Sequence, residues 1–338
     1  MTATRLPESE ALLIFPRLRI QNANALSSPL THGFPAMSAF VGLMWALERK
    51  LAGAFELVFD SVGVVCHHHQ EQTTDTAFPR TFRLTRNPVD KNGQTLAIVE
   101  EGRIHLEVTL LFGVSGRLLD ESEKVREAFL REVAALVEGM RVAGGSVLPG
   151  SAAEQATTPQ LAIIPADPAA QAPWFRRLRR RLLPGYALVS REDLLAARLA
   201  DLREQRPKAS LLDALLDLSR FNWQAGRDES GKLTWRHDHP EGSGWIVPIP
   251  VGYGALSAVY SPGDVANTRD PHTPFRFVES LYGVGEWRSP HRLDDFRALL
   301  WYGDADPASG LYRVRNDYAP APTPASTAHP SSSTPSQN

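Results

Sequence analysis

The chain has 338 residues, about two average domain lengths, and its single cysteine, Cys66, excludes an internal disulfide. Its 36 Lys and Arg residues and 38 Asp and Glu residues give a formal net charge of −2, which excludes a protein that coats nucleic acid by bulk positive charge. The sequence shows neither a signal peptide nor an apolar run of membrane-spanning length, which predicts a soluble, cytoplasmic protein.

The first part of the chain alternates strand-like and helix-like patterns. Residues 12–20 predict a strand, residues 38–51 a buried helix that ends in basic residues, and residues 57–66 a second strand. An Asn-Gly pair lies between segments 82–86 and 94–99, which favours a hairpin. Apolar residues at every second position over 104–112 predict the last strand of an antiparallel meander.

A second helix follows, with Asp120 as its predicted N-cap and Glu123 three residues later. Its predicted apolar face consists of Val125, Phe129, Val133, Leu136 and Met140. A further strand is predicted within 142–148 or 161–164. The order strand, helix, strands, helix, strand is that of a ferredoxin-like α+β unit, a layout that many RNA-recognition domains share.

Composition divides the rest of the chain. Residues 144–158 predict a linker or long loop, and residues 319–338 a disordered tail of Ala, Pro, Ser and Thr. Residues 171–220 contain 11 Lys and Arg against 6 Asp and Glu, a local charge of +5, and include amphipathic helices at 196–202 and 211–218. Two prolines in segment 244–254 argue against a regular central strand there.

Polar residues cluster at and after the first predicted strand; they are Arg17, Arg19, Asn22, Asn24, His32 and Gly33. Alternation places Arg17 and Arg19 on the face opposite Leu18 and Ile20. Such a face can offer guanidinium groups to phosphates, and the amides can pair with base edges or sugars. A solvated strand followed by a structured loop explains the pattern equally well.

His67, His68 and His69 follow the second predicted strand. In an extended segment at most His67 and His69 share a side, and no set of residues with metal-ligand spacing lies nearby. We therefore favour a polar loop that touches RNA over a metal site or an acid–base pair. No metal or other cofactor is expected.

A run of five arginines in six positions follows Trp174 and Phe175; they are Arg176, Arg177, Arg179, Arg180 and Arg181. This composition suits backbone phosphates or an acidic protein partner. The alternative is a solvated helix face with Leu178 and Leu182 packed inward. Further along, Arg269 and Arg276 lie among aromatic residues that either stack on bases or pack in the core.

Several segments carry a resemblance to a known family. They are PRLRIQNANALSSPLTHGFPAMSAFVGLMWALER near the start, CHHHQ and FPRTFRLTRNP after it, and GWIVPIPVGYGALSAVYSPGDVANTRDPHTPFRFVESLYGVGEW with GLYRVRNDY near the end. With these segments, which cover most of residues 12–318, the chain resembles the second Csy protein family of type I-F CRISPR surveillance complexes. That family is the Cas-five-type member of the RAMP superfamily.

The resemblance implies a ferredoxin-like RAMP body. Residues 1–148 would form its N-terminal part, 149–220 a linker and a basic, helical, thumb-like insertion, 221–318 a β-rich part that completes the body, and 319–338 the tail. It also implies a non-catalytic subunit that binds the 5′ handle of CRISPR RNA, pairs with the large subunit and abuts a backbone subunit, while target DNA is held by the assembly.

The candidate RNA contacts are Arg17, Arg19, Asn22, Asn24, His32, Gly33, His67, His69, Arg83, Arg269 and Arg276, and the five-arginine run is a candidate patch for RNA phosphates or a protein partner. Two alternatives stay open. One is a metal-independent ribonuclease that uses His32 or the histidine triplet as acid and base. The other is a pure protein adaptor. Because no established catalytic motif appears in a convincing context, we predict that the protein is not an enzyme.

Overall fold

The computed structural model describes residues 5–75, 80–86, 89, 92–95, 97–149, 158–220, 223–237, 244–268 and 270–319. The helices are α1 (Met37–Leu51), α2 (Glu123–Glu138), α3 (Pro168–Leu178), α4 (Glu192–Gln205) and α5 (Leu211–Leu218). The strands are β1 (Ala11–Asn24), β2 (Val58–Glu71), β3 (Thr73–Asp75), β4 (Arg80–Phe82), β5 (Leu84–Arg86), β6 (Ile98–Glu100), β7 (Arg103–Ser115), β8 (Arg141–Val142), β9 (Gly145–Leu148), β10 (Gln160–Ile163), β11 (Tyr186–Ser190), β12 (Trp223–Arg227), β13 (Leu233–His237), β14 (Trp245–Ala255), β15 (Val278–Arg288), β16 (Leu300–Asp306) and β17 (Leu311–Asn316).

The fold is a mixed α/β fold built on one large antiparallel sheet. Its strand order is β11-β15-β14-β17-β16-β2-β7-β1-β9-β8, and β10 also pairs with β1. The pairs β3–β4, β5–β6 and β12–β13 form two-stranded ribbons outside this sheet. Strands from both halves of the chain therefore share the same hydrogen-bonded sheet.

The start of β1 is apolar at every position because both faces of the sheet are covered there. Leu13 and Phe15 pack in the core that α1 and α2 form on one face. Leu12 and Ile14 pack on the other face, in a second core to which α3 contributes Phe175. Burial on two faces replaces the alternation of a half-exposed strand with a continuous apolar run.

The predicted elements form with shifted ends. The first two strands and the first helix are confirmed, but β1 continues to Asn24 and β2 to Glu71. Strands also form at both places proposed for the next strand, as β8, β9 and β10. The predicted cap at Asp120 is wrong, because this residue ends a 3₁₀ turn and Ser122 occupies the N-cap position of α2 without a side-chain hydrogen bond.

The predicted meander is also wrong in one respect. β5 and β6 pair antiparallel, as the Asn-Gly signal indicates, but β2 pairs directly with β7 in the main sheet. Leu84, Ile98 and Val99 are 70%, 54% and 38% exposed, so the described apolar side chains of the β5–β6 ribbon form no buried face with which to join the sheet.

The prediction that prolines exclude a regular central strand at 244–254 is confirmed only in part. A strand forms there as β14, but its pairing with β15 shifts register between Pro250 and Gly252. β14 lies between β15 and β17. However, β17 pairs only with Gly252, Tyr253 and Gly254, so Pro248 and Pro250 lie in the half of β14 that only β15 borders among the described pairings. A strand tolerates proline where one side needs no N–H donor.

The helices predicted at 196–202 and 211–218 form as α4 and α5, but they do not join either main core. Leu202 and Ala214 belong to a small separate cluster, while Leu211 and Leu216 are more than half exposed. Among the described residues, the helices are all too short or too polar to cross a membrane.

Candidate functional site

Two β-bulges interrupt β1 within the basic motif. The pairing with β7 shifts between Phe15 and Leu18 and again between Ile20 and Ala23. Each bulge contains one residue with a positive φ. Arg17 has a φ of 49° in the first bulge, and Asn22 has a φ of 57° in the second. A bulge re-aims the side chains around it, so β1 does not present a regular polar face.

A side chain of β7 satisfies the backbone N–H of each bulge. The Arg17 N–H donates to Thr109 Oγ1 at 3.2 Å, and the Asn22 N–H donates to His105 Nδ1 at 3.1 Å. Leu18 and Ile20 are buried, as the alternation predicts. The bulges are therefore built features that the opposite strand supports.

The Arg17 guanidinium is held by the protein itself. Its Nη1 donates to Glu107 Oε1 at 2.6 Å, and its Nη2 donates to the Leu183 carbonyl at 3.4 Å. Arg19 Nη2 reaches the Pro149 carbonyl at 3.4 Å. Arg17 is thus half-buried and neutralised, which leaves its charge less available to a phosphate than the sequence predicts.

Both ring nitrogens of His67 are hydrogen-bonded. Nδ1 donates to the Pro184 carbonyl at 2.6 Å, and Nε2 lies 2.7 Å from Thr109 Oγ1. Burial, with a smaller effect of the nearby Arg17 charge, lowers the pKa of His67 below its usual 6.5. A neutral His67 accepts at Nε2 from the Thr109 hydroxyl, which itself accepts from the Arg17 N–H.

The three histidines lie within β2, so the predicted polar loop is wrong. β2 has an extra residue at His67 relative to β7. His68 pairs with Glu107, and His67 contacts Thr109, which lies on the same face of β7. The bulge places His67 and His68 on one face and His69 on the other, so His67 and His69 do not share a side.

An open depression of about 360 Å³, here called the β1-end depression, lies where the second bulge of β1 meets the β8–β9 turn and the start of β7. Its lining consists of Gln21, Asn22, Gln72, Arg83, Glu101, Arg103, Arg141, Gly144 and Ser146. The structure brings Asn22 and Arg83, two of the predicted residues, together here. They are 61 positions apart in the sequence.

Backbone hydrogen bonds fix the rim of the depression. The Arg83 N–H donates to the Gln72 carbonyl at 3.1 Å, and the Gln72 N–H donates to the Arg103 carbonyl at 2.7 Å. On the other side, Ser146 pairs with Gln21 across β1 and β9. Arg83 is therefore held at the junction of the β3–β4 and β5–β6 ribbons with the main sheet.

The depression has a local excess of positive charge. Arg103 donates through Nε and Nη2 to Glu101, at 3.0 and 2.7 Å, which neutralises both groups. Arg141 donates to the Gly144 carbonyl at 3.1 Å, and Arg83 is exposed. Within this lining, Arg83 and Arg141 lack a carboxylate partner among the described residues, and the amides supply both donors and acceptors.

His32 and Gly33 lie in the loop beside the depression. His32 Nδ1 lies 3.0 Å from Glu71 Oε1, and its ring packs edge-on against Phe82 at 5.8 Å. Gly33 has a φ of 105° and donates its N–H to the Ala25 carbonyl at 2.8 Å, a conformation that favours glycine. Glu71 and Phe82 directly precede Gln72 and Arg83, so this loop borders the site.

Asn24 plays a local structural role. Its side-chain amide donates to the Leu26 carbonyl at 2.7 Å, and its Oδ1 accepts from the Leu26 N–H at 3.2 Å. The Asn24 side chain therefore shapes the turn after β1.

The arginine run lies at the end of α3 and in the 3₁₀ turn that follows. Leu178 and Leu182 are buried, as the amphipathic alternative predicts. Arg179 donates to the Leu293 carbonyl and Arg181 donates to Gln160 Oε1. The remaining three arginines of the run are exposed; they are Arg176, Arg177 and Arg180.

The C-terminal candidate Arg276 lies apart from the depression. Arg276 donates to the Pro307 carbonyl at 3.4 Å, at the turn between β16 and β17 on the other half of the sheet. Phe275 and Phe277 pack edge-to-face at 5.0 Å. Arg269 lies outside the described residues.

Sequence reasoning missed several residues of the depression, namely Gln21, Gln72, Glu101, Arg103 and Arg141. The Gly-Gly pair at 144–145 predicts a turn, and Arg141 lies three residues before it. Gln72 and Arg103 carry no local signal. Among the described residues, no group of three or more His, Cys, Asp and Glu side chains is arranged to hold a metal ion.

Comparison with known proteins gives the same family as the sequence motifs do. The family model described as CRISPR-associated protein (Cas_Csy2) matches residues 13–314. The CRISPR-associated protein Csy2 of Pseudomonas aeruginosa (strain UCBPP-PA14) is 48% identical over 316 residues, which cover 90% of this chain and 95% of that protein. The chain therefore belongs to the Csy2 family of CRISPR-associated proteins, a subunit family of the type I-F CRISPR complex.

Proposed function

We propose that this protein binds the 5′ handle of CRISPR RNA as a non-catalytic subunit of the type I-F surveillance complex, an antiviral defence system. The guide part of the RNA then finds foreign DNA by base pairing, so the protein does not read the target sequence itself. The observation that carries this proposal is the β1-end depression, which combines amide side chains with two arginines that lack carboxylate partners among the described residues.

The chemistry of the depression suits single-stranded RNA. Proteins read RNA sequence mainly at unpaired nucleotides whose bases are splayed out and whose edges are hydrogen-bonded. Asn22, Gln21 and Gln72 each carry an amide with donor and acceptor groups that can pair with a base edge or a ribose hydroxyl. Arg83 and Arg141 supply charge for the phosphates on either side.

The fold supports a more specific assignment, a ferredoxin-like RAMP body. The neighbouring strands β9, β1, β7 and β2 and the helices α1 and α2 have the chain order and strand order of that fold. We assign residues 1–148 to its N-terminal part, 149–220 to a linker and a basic, thumb-like helical insertion, 221–318 to the β-rich part that completes it, and 319–338 to a tail.

The proposed partners are the large subunit and a backbone subunit of the complex, together with the target DNA that the assembly holds. The proposed location is the cytoplasm, where guide RNA and invading DNA meet. A neutral overall charge suits this role, because a subunit that bound RNA by bulk charge would compete for cellular transcripts.

The test is recovery of CRISPR RNA with the assembled complex. We expect R83Q/R141Q to reduce the affinity of the complex for handle-containing RNA by at least tenfold, since two phosphate contacts are lost. The matched control is R117Q/R131Q, which removes two arginines that pair with Glu56 and Glu127.

Sequencing of the bound RNA completes the test. Intact handles in the wild-type complex, and fewer of them in R83Q/R141Q than in the control, would support the proposal. Equal handle recovery in both variants would refute the site. Cleavage of repeat RNA by the purified chain in EDTA, lost on His68→Ala or His69→Ala, would favour the ribonuclease alternative instead.

A further inference from the structure

Three exposed arginines form a patch on the outward side of α3 and the 3₁₀ turn after it. We propose that this arginine patch, made of Arg176, Arg177 and Arg180, binds the phosphodiester backbone of nucleic acid without regard to its sequence. The proposal goes beyond handle binding, because it concerns other residues on another element. Its failure would leave the assignment of the β1-end depression untouched.

The helical repeat explains why these side chains point outward together. Phe175, Leu178 and Leu182 fall on one side of the segment and are 1%, 6% and 2% exposed. At about 100° per residue, Arg176 and Arg177 lie on either flank of the side of α3 opposite Phe175 and Leu178. Arg180 is exposed in the 3₁₀ turn that follows. Because all three side chains are exposed within five residues of one another, their positive charges add to one local field.

The charge of the patch is not neutralised locally. Arginines elsewhere pair with carboxylates; Arg191, for example, is 2.9 Å from Asp193, and Arg313 is 2.8 Å from Asp304. Within the described residues, the three patch arginines have no carboxylate within ion-pair distance. Their guanidinium groups therefore keep positive charge available on a protein whose formal net charge is −2.

The two other arginines of the run hold the segment in place. Arg179 donates to the Leu293 carbonyl and lies 3.7 Å from Asp294, and Arg181 donates to Gln160. These contacts attach the 3₁₀ turn to the body. They leave the patch arginines on a supported surface, where binding requires little additional ordering of the backbone.

Within the described residues 168–182 no large apolar side chain is exposed, which favours nucleic acid over a protein partner. Trp174 and Phe175 pack edge-on against Phe296, at ring-centroid distances of 5.5 and 6.5 Å. Protein interfaces generally centre on buried aromatic or aliphatic anchors, whereas most contacts in protein–DNA interfaces are made to the phosphate–sugar backbone. The patch has no exposed aromatic or large aliphatic anchor, and its guanidinium groups can each donate two hydrogen bonds to a phosphate.

Salt dependence of binding tests the proposal directly. We would measure the affinity of the full-length chain for two probes that lack a handle sequence, a single-stranded RNA and a DNA duplex. The salt slope is the decrease in the logarithm of the binding constant per unit increase in the logarithm of salt concentration. Loss of three phosphate contacts in R176Q/R177Q/R180Q should reduce this slope by about 2.7 for the duplex and about 2.1 for the single strand. Between about 50 and 200 mM salt, the variant should lose about 40-fold less affinity for the duplex than the wild type does.

A matched control separates the patch from bulk charge. The variant R117Q/R131Q/R220Q removes the same total charge at arginines that lie 3.4, 4.0 and 2.7 Å from the carboxylates of Glu56, Glu127 and Asp217. We expect this control to keep the wild-type slope. The triple lysine variant of the patch should keep most of the slope, because it retains the charge.

Three outcomes would overturn the proposal. They are equal slopes for the patch variant and its control, failure of the wild-type chain to bind either probe, and unchanged nucleic-acid binding with loss of complex assembly, which would make the patch a protein contact. The source of the phosphates is the probe whose slope change reaches the value expected for three contacts, about 2.7 for the duplex or about 2.1 for the single strand. Preference for handle-containing over scrambled RNA is measured separately and reports only on the depression.

Discussion

The Nδ1 atom of His67 donates a hydrogen bond to the Pro184 carbonyl oxygen, 2.6 Å away, across 117 positions of sequence. This bond attaches the end of the arginine-rich segment to the central sheet. Gly185 makes the close approach possible, because a Cβ atom at this position would lie 2.8 Å from His67 Nδ1. His67 therefore acts as a positioning residue for that segment.

Replacing His67 tests this attachment. His67→Ala removes the donor to Pro184 and the acceptor for Thr109, so we expect the free energy of unfolding to fall by about 1–3 kcal/mol. His67→Asn can restore the donor to Pro184 and should recover part of the loss. Urea denaturation measures both variants, and equal stability of His67→Ala and wild type would contradict the role.

Protonation of His67 should oppose folding. Because burial lowers its pKa in the folded state below 6.5, the unfolded chain binds the proton more tightly. The contribution of neutral His67 to the free energy of unfolding is therefore fully present above pH 6.5. It is lost as the pH falls through the lower pKa that His67 has in the folded state. Thermal denaturation across this range should show a steeper loss of stability for wild type than for His67→Asn, and parallel curves would exclude the effect.

Thr109 links Arg17 and His67 through one hydroxyl group. The side chain is 2% exposed, so Thr109→Val, which keeps the shape but removes the hydroxyl, should cost about 1–3 kcal/mol. Thr109→Ser keeps the hydroxyl and should retain both hydrogen bonds. Urea midpoints that rank valine equal to or above serine would show that the linkage contributes nothing.

Asn22 allows backbone and side-chain roles to be separated. Its φ of 57° suits glycine, so Asn22→Gly should fold with nearly wild-type stability, whereas Asn22→Val should lose about 1–2 kcal/mol. The glycine variant lacks the amide, and we expect its affinity for handle-containing RNA to drop about three- to tenfold. Unchanged affinity in a normally folded glycine variant would remove Asn22 from the RNA site.

Cys66 should be chemically inert in the folded protein. Burial, assisted by the charge of Glu107, raises the pKa of its thiol to about 12, so almost no thiolate exists at neutral pH. We expect slow reaction with a thiol reagent under native conditions and rapid, stoichiometric reaction in denaturant. Rapid native labelling would show that the end of β2 opens frequently.

Part of the candidate site could be predicted from local pattern and from the family resemblance. The polar residues after the first strand include Asn22 and His32, and the motif FPRTFRLTRNP includes Arg83. The depression also needs Gln72 and Arg141, which no spacing rule connects to Asn22. Only the pairing of β1 with β7 and β9 brings these distant segments to one rim.

Other features were misjudged because local rules assume regular strands. Alternation grouped His67 with His69, but the bulge in β2 separates them. Proline composition argued against a regular central strand over 244–254. A strand forms there nevertheless, and it has two paired neighbours only at Gly252, Tyr253 and Gly254, where β17 pairs with it.

The sequence by itself determined the order of the main strands and helices in the N-terminal part, the inward packing of Leu178 and Leu182 and, through its motifs, the family. These properties depend on side-chain period along a short segment and on residue identity, which are local quantities. Only the tertiary structure decided the two bulges of β1, the bond from His67 to Pro184 and the lining of the β1-end depression. Those features arise from contacts between residues far apart in the chain, and a local period carries no information about such contacts.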